Sequence, residues 1–211
     1  MLKKMVLVCV AMLMPLVALA EESFQAGKHY IELPQAVKTA DPAKVEVVEM
    51  FGYPCPHCNS FEPVLHSWEQ KVAGDVDFKR IPVVFGRSWE PFARAYYTAE
   101  LMKVLDKTHQ ATFSAVHVER RRLRSQEDLA ELYGKLGVDS DKFNKYFNSF
   151  AVNAKLNQGN SKARSYEITG VPSLVVNGKY RVTAASAGGQ AKMLEVVNFL
   201  IEKERKALAK Q

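Results

Sequence analysis

Two thiols separated by two residues, Cys55-Pro56-His57-Cys58, are the groups in this chain best suited to covalent chemistry. A disulfide between them would close a very small ring, which removes little chain entropy. Stability is therefore a poor reason for the pair, and redox exchange is a better one. If Cys55 stands where a helix begins, unpaired backbone N–H groups and the helix dipole favour an anion at its sulfur. A protonated His57 adds a positive neighbour. Both effects lower a thiol pKa, and the thiolate is the reactive species. Stabilising that thiolate stabilises the reduced pair and makes the disulfide a stronger oxidant. Cys58 lies about one helical turn on, on the same side and deeper, as the resolving partner. Pro56 suits the first helical turn.

Competing chemistries fit less well. A closed zinc site needs four ligands, and no second Cys pair or closely spaced His pair accompanies this one. Attachment of a c-type haem needs His directly after the second Cys, where Asn59 stands. No metal and no cofactor is expected. A carboxylate is the next candidate. Glu49 falls on an apolar stretch with Val47 and Phe51 on its own face, so desolvation should raise its pKa. Its strand points at the Cys pair, which would let it relay protons for a buried Cys58. A plain ion pair with no catalytic part is the alternative.

These groups need a strand, a sharp turn and a helix to hold them. Residues 44–51 are β-branched and apolar on both faces, as in a central strand. Gly52-Tyr53-Pro54 breaks that strand. A helix is expected from about Cys55 to Ala73, kinked at Pro63 and stopped by Gly74. Short strands are expected at 30–33 and 76–84. From Arg87 the pattern turns helical, with Ser88 as a candidate cap and Phe92, Tyr96, Ala99 and Met102 on one face. Ser125 to Asp128 reads as a capping box, and Gly137 as the stop of that helix. Phe143, Phe147 and Phe150 form a stripe on one further helix, which continues to about Tyr166. Strands at 173–176 and 179–183 flank Asn177-Gly178, a strong hairpin signal. A last helix spans 189–209. The order predicts an α/β domain with an all-helical insertion.

The chain has 211 residues, 47% of them apolar and 25% charged, with 11 Gly and 9 Pro. That composition excludes collagen-like, disordered and disulfide-dense miniprotein classes. Lys3 and Lys4, an apolar run over 5–19 and Ala18-Leu19-Ala20 read as a Sec-type signal peptide over 1–20, cleaved after Ala20. The run is short of the roughly 20 residues a membrane span needs, and Pro15 interrupts it. Cleavage removes Lys3, Lys4 and Cys9. The formal charge then falls from +6 to +4, and of three cysteines only the Cys-Pro-His-Cys pair remains. An oxidising exported compartment, the periplasm, suits such a pair. The mild positive charge favours solubility and gives no sign of a nucleic-acid partner. The basic run Arg120, Arg121, Arg122 and Arg124 reads as a solvated helix end. His29, His66, His109 and His117 read as surface or satisfied histidines.

The stretch from Glu49 through Cys55-Pro56-His57-Cys58 to Phe61-Glu62 resembles the active-site segment of the DsbA family of periplasmic thiol:disulfide oxidases. So does Gly170-Val171-Pro172-Ser173, followed by Asn177-Gly178 and Tyr180. A bare Cys-x-x-Cys would mark only the thioredoxin superfamily; Cys-Pro-His-Cys is more specific. The likeness spans essentially the whole mature chain. It implies a thioredoxin-like fold built from 21–86 and 160–211, with 87–159 as the inserted helical domain. It implies a cis Val171–Pro172 bond beside the Cys pair, with Val171 and Pro172 binding an extended client segment. Arg80 matches a basic residue that the family places near the acid, where Lys is usual. The resemblance also implies transfer of the Cys55–Cys58 disulfide to unfolded exported clients, reoxidation by a DsbB-type quinone-linked membrane partner, and a monomer. The residues leave open a reductase or isomerase, although isomerases of this superfamily usually add a dimerisation domain that is not legible here. They also leave open a holdase or metal carrier. An apolar groove for clients could draw on Tyr53, Phe85, Phe92 and the Phe143/Phe147/Phe150 stripe.

Overall fold

A computed structural model describes residues 23–209; the expected leader over 1–20, its cleavage after Ala20, and Cys9 lie outside the described residues. In chain order the elements are β1 (Ile31–Glu32), β2 (Val45–Phe51), α1 (Pro56–Glu69), β3 (Val76–Pro82), α2 (Glu90–Leu101), α3 (Leu105–His117), α4 (Gln126–Lys135), α5 (Ser140–Phe147), α6 (Phe150–Ser165), β4 (Ser173–Val176), β5 (Tyr180–Thr183), α7 (Ala184–Ala187) and α8 (Gln190–Leu208). The strands form one sheet in the order β1-β5-β4-β2-β3. β2 and β3 run parallel through the α1 crossover, and the other pairings are antiparallel. This is a thioredoxin-like α/β fold.

Every residue of β2 is buried, because both of its faces are covered. Val45 and Val47 join Phe61 and Leu65 of α1 and Met193, Val197 and Leu200 of α8 in one core. Val48 and Met50 point the other way, toward Ile81, Tyr166 and Val175. Phe51, at the strand's end, enters a third core with Tyr53, Cys55, Cys58 and the aromatic residues of α2, α3 and α5. The side of β2 that carries Glu49 therefore lies where the sheet core meets the helical block.

Local chemistry accounts for most boundaries. Ser125 and Asp128 form the expected capping box at α4. The 177–178 turn takes positive φ at both residues, 50° and 62°, as the hairpin requires. Gly178 is also needed because a Cβ there would overlap the Val37 carbonyl. Several expectations need correction. Helix α1 ends at Glu69, short of the expected Ala73, while Pro63 lies inside it as expected. Ser88 caps nothing: Trp89 occupies the cap of α2 and makes no side-chain cap bond. The Phe143/Phe147/Phe150 stripe is split between two helices. Ser149 caps α6 by accepting from the Val152 N–H, so Phe150 opens a new helix and is 87% exposed, while Phe143 and Phe147 are buried. The short α7, with its own Thr183–Ser186 capping box, has no apolar period and was not anticipated.

Gly52 has a role beyond breaking β2. Trp89 packs on it so closely that a Cβ would fall inside the ring's van der Waals envelope. Gly52→Ala is expected to displace Trp89 and to cost about 1–3 kcal/mol, the usual range for overpacking. Urea denaturation measures this, and a loss under ~0.5 kcal/mol would refute it.

Candidate functional site

The turn after β2 delivers Cys55 to the N-cap of α1, in extended backbone (φ −85°, ψ 117°), with Pro56 in the first turn. The Cys55 N–H donates to the Gly52 carbonyl at 3.0 Å, which closes the turn. Both cysteines are free thiols and both are buried. Cys55 lies at the edge of the surface at 9% exposure, and Cys58 is fully covered.

The Cys55 thiol is brought down from an ordinary 9.0 to about 6. Hydrogen bonding from the Cys58 thiol is the largest cause. Burial opposes it, the backbone N–H groups of Cys58 and His57 assist, and the His57 charge adds least of these. The helix terminus and His57 were legible in the sequence as anion stabilisers; the dominant donor, Cys58 itself, was not. The Cys58 thiol moves upward, held protonated by its bond to Cys55, by burial and by the Glu49 charge.

Across from the pair runs the 170–173 loop. The Val171–Pro172 peptide is cis, as the resemblance implied. Val171 O lies 3.4 Å from Cys55 Sγ and accepts from it when the thiol is protonated. Ser173 Oγ donates to the Gly170 carbonyl at 2.7 Å and pins the loop. Gln190, at the start of α8, donates to the His57 carbonyl at 2.6 Å. The His57 side chain is exposed. Together His57, Gly170, Val171, Pro172 and Gln190 border an open, mainly apolar hollow of about 360 Å³.

On the other side of the pair, strand register places Glu49 directly opposite Arg80. Glu49 is 0% exposed. Its Oε2 lies 3.1 Å from Arg80 Nε, but the alignment is poor and neither carboxylate oxygen completes a hydrogen bond. Burial pushes the Glu49 carboxyl up to about 8, the Glu62 charge pushes the same way, and Arg80 offsets only part of this. Arg80 is shared. Its Nη2 also reaches Glu62 at 3.1 Å and Glu69 at 2.9 Å. Both carboxylates come from α1 at helical spacing (i, i+7), a signal that was available in the sequence and not used. An arginine fork suits three acids better than a lysine point charge does.

His109 completes the cluster. Its Nδ1 lies 2.8 Å from the Tyr53 hydroxyl and its Nε2 lies 3.4 Å from Glu62 Oε1. The expectation of a satisfied histidine holds for Nδ1 only, since Nε2 is buried without a hydrogen-bond partner. His117 likewise bonds the Tyr53 carbonyl at 2.7 Å. His66 is exposed beside Gln70, and His29 caps a surface turn through the Gln25 N–H. Arg120, Arg122 and Arg124 are exposed, and Arg121 reaches Glu131 at 3.5 Å. The expected aromatic groove is mostly core. Tyr53, Phe92, Phe143 and Phe147 are buried, and of that set Phe85, edge-on against Trp89, and Phe150 offer exposed apolar surface.

A model of the DSBA-like thioredoxin domain family matches residues 86–195. Curated relatives extend the likeness across the Cys pair. The chain is 45% identical over 190 residues to the thiol:disulfide interchange protein DsbA of Pseudomonas syringae pv. tomato, covering 90% of this chain and 89% of that one. It is 42% identical over 189 residues to the DsbA of Pseudomonas aeruginosa, covering 90% of each. Among solved structures, the crystal structure of Pseudomonas aeruginosa DsbA superposes with a TM-score of 0.85 at 43% identity, over 89% of this chain and 97% of that one. The oxidoreductase DsbA of Xylella fastidiosa gives 0.81 at 35% identity, over 86% and 98%.

Proposed function

Because the chain belongs to the DsbA family and is a thiol:disulfide oxidoreductase, we propose that it works in the oxidising direction, donating a Cys55–Cys58 disulfide to newly exported proteins. The observation that carries this reading is the place of Cys55 at the N-cap of α1 with Cys58 one turn on, where its thiol is lowered to about 6, chiefly by the Cys58 thiol, which favours the reduced, thiolate form.

A client thiolate attacks Cys55 Sγ. The Cys55–Cys58 bond breaks and Cys58 leaves as a thiolate, which takes a proton from the Glu49 carboxyl. A second client thiolate then attacks the client sulfur of the mixed disulfide. Cys55 leaves as a thiolate, and the client carries away the disulfide. The helix terminus, with Pro56 and His57, stabilises that leaving group. Glu49, held protonated to about pH 8, is suited to supply the first proton and to recover it later. Val171 and Pro172 border the hollow beside Cys55 and are assigned to the client backbone, a contact that reads no side chain and so serves many sequences.

The reading includes a periplasmic setting reached through the 1–20 leader and reoxidation by a DsbB-type quinone-linked membrane partner. It also includes a monomeric chain in which 87–159 forms a helical domain inserted between 21–86 and 160–211. The test is equilibration with glutathione buffers alongside transfer to a reduced dithiol peptide. The expected result is a couple on the oxidising side of glutathione, with stoichiometric transfer of one disulfide. A couple more reducing than glutathione would replace the oxidase with a reductase. Tight metal binding without disulfide exchange would replace it with a carrier.

A further inference from the structure

One part-buried group bonded to the turn that leads into Cys55 has no part in the steps above. His109, on α3, is only 13% exposed at its side chain and touches two elements that carry the site. Its Nδ1 meets Tyr53, two residues before Cys55, and its Nε2 faces Glu62 on α1. Burial raises the Tyr53 phenol well above its ordinary range, so its O–H stays available as a donor. Nδ1 accepts from that hydroxyl, and Nε2 faces the Glu62 carboxylate at 3.4 Å, within reach of charge attraction but without a completed hydrogen bond. The rings of Phe51 and Phe113 each meet the imidazole edge-on, at 5.3 Å.

Charge balance gives the contact a purpose. Three carboxylates, Glu49, Glu62 and Glu69, surround one guanidinium. Arg80 cannot neutralise all three, and in a site this dry the shortfall matters. We propose that His109 is a positioning residue for the thiol–disulfide reaction: it compensates the charge of Glu62 and so leaves Arg80 to Glu49, whose own charge acts on Cys58. The other titratable groups that line the cavity beside it are His66 of α1, Tyr96 of α2 and Asp106 of α3, which with Glu62, Glu69, Arg80 and His109 border a solvent-open hollow of about 570 Å³. Removing the imidazole leaves Glu62 uncompensated. Its field then holds a proton on Glu49 to higher pH and makes Glu49 a poorer acceptor from Cys58.

This inference rests on the assignment of Glu49 as the proton partner of Cys58, and the test isolates that step. Cys55 is loaded as a mixed disulfide with glutathione. Cys58 Sγ–H then gives its proton to the Glu49 carboxylate, the Cys58 thiolate attacks Cys55 Sγ, and glutathione leaves as a thiolate. The release rate is followed against pH. In His109→Gln the midpoint is expected to move up by roughly 0.5–1 pH unit. Tyr53→Phe, which removes one hydroxyl, should move it less and in the same direction. In His109→Gly, added imidazole should enter the cavity and return the midpoint toward that of the unaltered protein, which a purely structural role would not do. A His109→Gln profile superimposed on the parent, or an imidazole-insensitive His109→Gly, would overturn the proposal while leaving the oxidase reading intact. If the parent protein itself releases no glutathione through Cys58, both fall.

Discussion

Replacing Cys58 with alanine is expected to raise the ionisation midpoint of Cys55 by one pH unit or more, about tenfold in its acid constant. The thiol of Cys58 is the largest influence holding Cys55 at about 6, ahead of the helix-terminal N–H groups and of His57. A donor to an ionised acceptor makes a charge-assisted hydrogen bond, roughly twice as strong as a neutral one. Alanine removes that donor, while the N–H groups of residues 57 and 58 and the His57 charge remain. The new midpoint should therefore lie between about 7 and the ordinary thiol value. Cys58→Ser keeps a hydroxyl donor in the same place and should shift the midpoint less. Thiolate absorbance against pH in each variant measures the effect. An unmoved midpoint in Cys58→Ala would return the stabilisation to the helix terminus and His57. The consequence is chemical: the sulfur expelled first in client oxidation, once reprotonated, becomes the main stabiliser of the sulfur expelled second.

Glu49→Gln is expected to stabilise the reduced protein above pH 7 and to remove the Glu49 part of its dependence on pH. An unfolded chain releases the Glu49 proton near pH 4.3, whereas the folded chain holds it to about 8. Between those values the unfolded state binds fewer protons, so stability falls as pH rises, and the loss is complete once pH passes the folded value. At 1.36 kcal/mol per pH unit the ceiling is about 5 kcal/mol, and relaxation around the carboxylate should leave an observed loss of roughly 1–3 kcal/mol. Glu62 acts in the opposite sense. Burial raises its carboxyl, but the His109 contact and Arg80 outweigh that and leave it lowered. Its contribution is therefore present above the unfolded value and disappears in acid. Urea unfolding of the reduced protein at pH 5 and pH 8.5 separates the two groups. Across that interval the unaltered chain gains from the Cys55 thiolate and loses from Glu49, so the difference between the two proteins is the readout: from pH 5 to pH 8.5, Glu49→Gln should gain roughly 1–3 kcal/mol relative to the unaltered chain. Parallel curves would show that Glu49 ionises without penalty, and its part as a proton partner for Cys58 would go with them.

The instability attributed to Glu49 has a use in this setting. A carboxylic acid that keeps its proton near neutral pH can give it to an expelled Cys58 thiolate and accept it back during reoxidation. A salt-bridged carboxylate with an ordinary pKa could not donate. Poor alignment with Arg80, at 3.1 Å but without a completed hydrogen bond, keeps the guanidinium from ionising Glu49 outright.

Much of this was determined by local chemistry that a linear sequence displays. Two thiols at i and i+3 ahead of an apolar helical face, a β-branched run into Gly52, the Asn177-Gly178 turn and the Ser125–Asp128 box act over a few residues. Each appears in the fold close to where the pattern put it. What the sequence could not supply was set by distance in space between residues far apart in the chain. Register between β2 and β3 brought Arg80 opposite Glu49. The facing of α1 toward α3 set Glu62 against His109, 47 positions further on, while Glu69 reached Arg80. Phe150 left the core because a serine cap began a new helix one residue earlier. Periodicity tells which side of an element is buried, and tertiary packing alone decides which charges must then share that buried space.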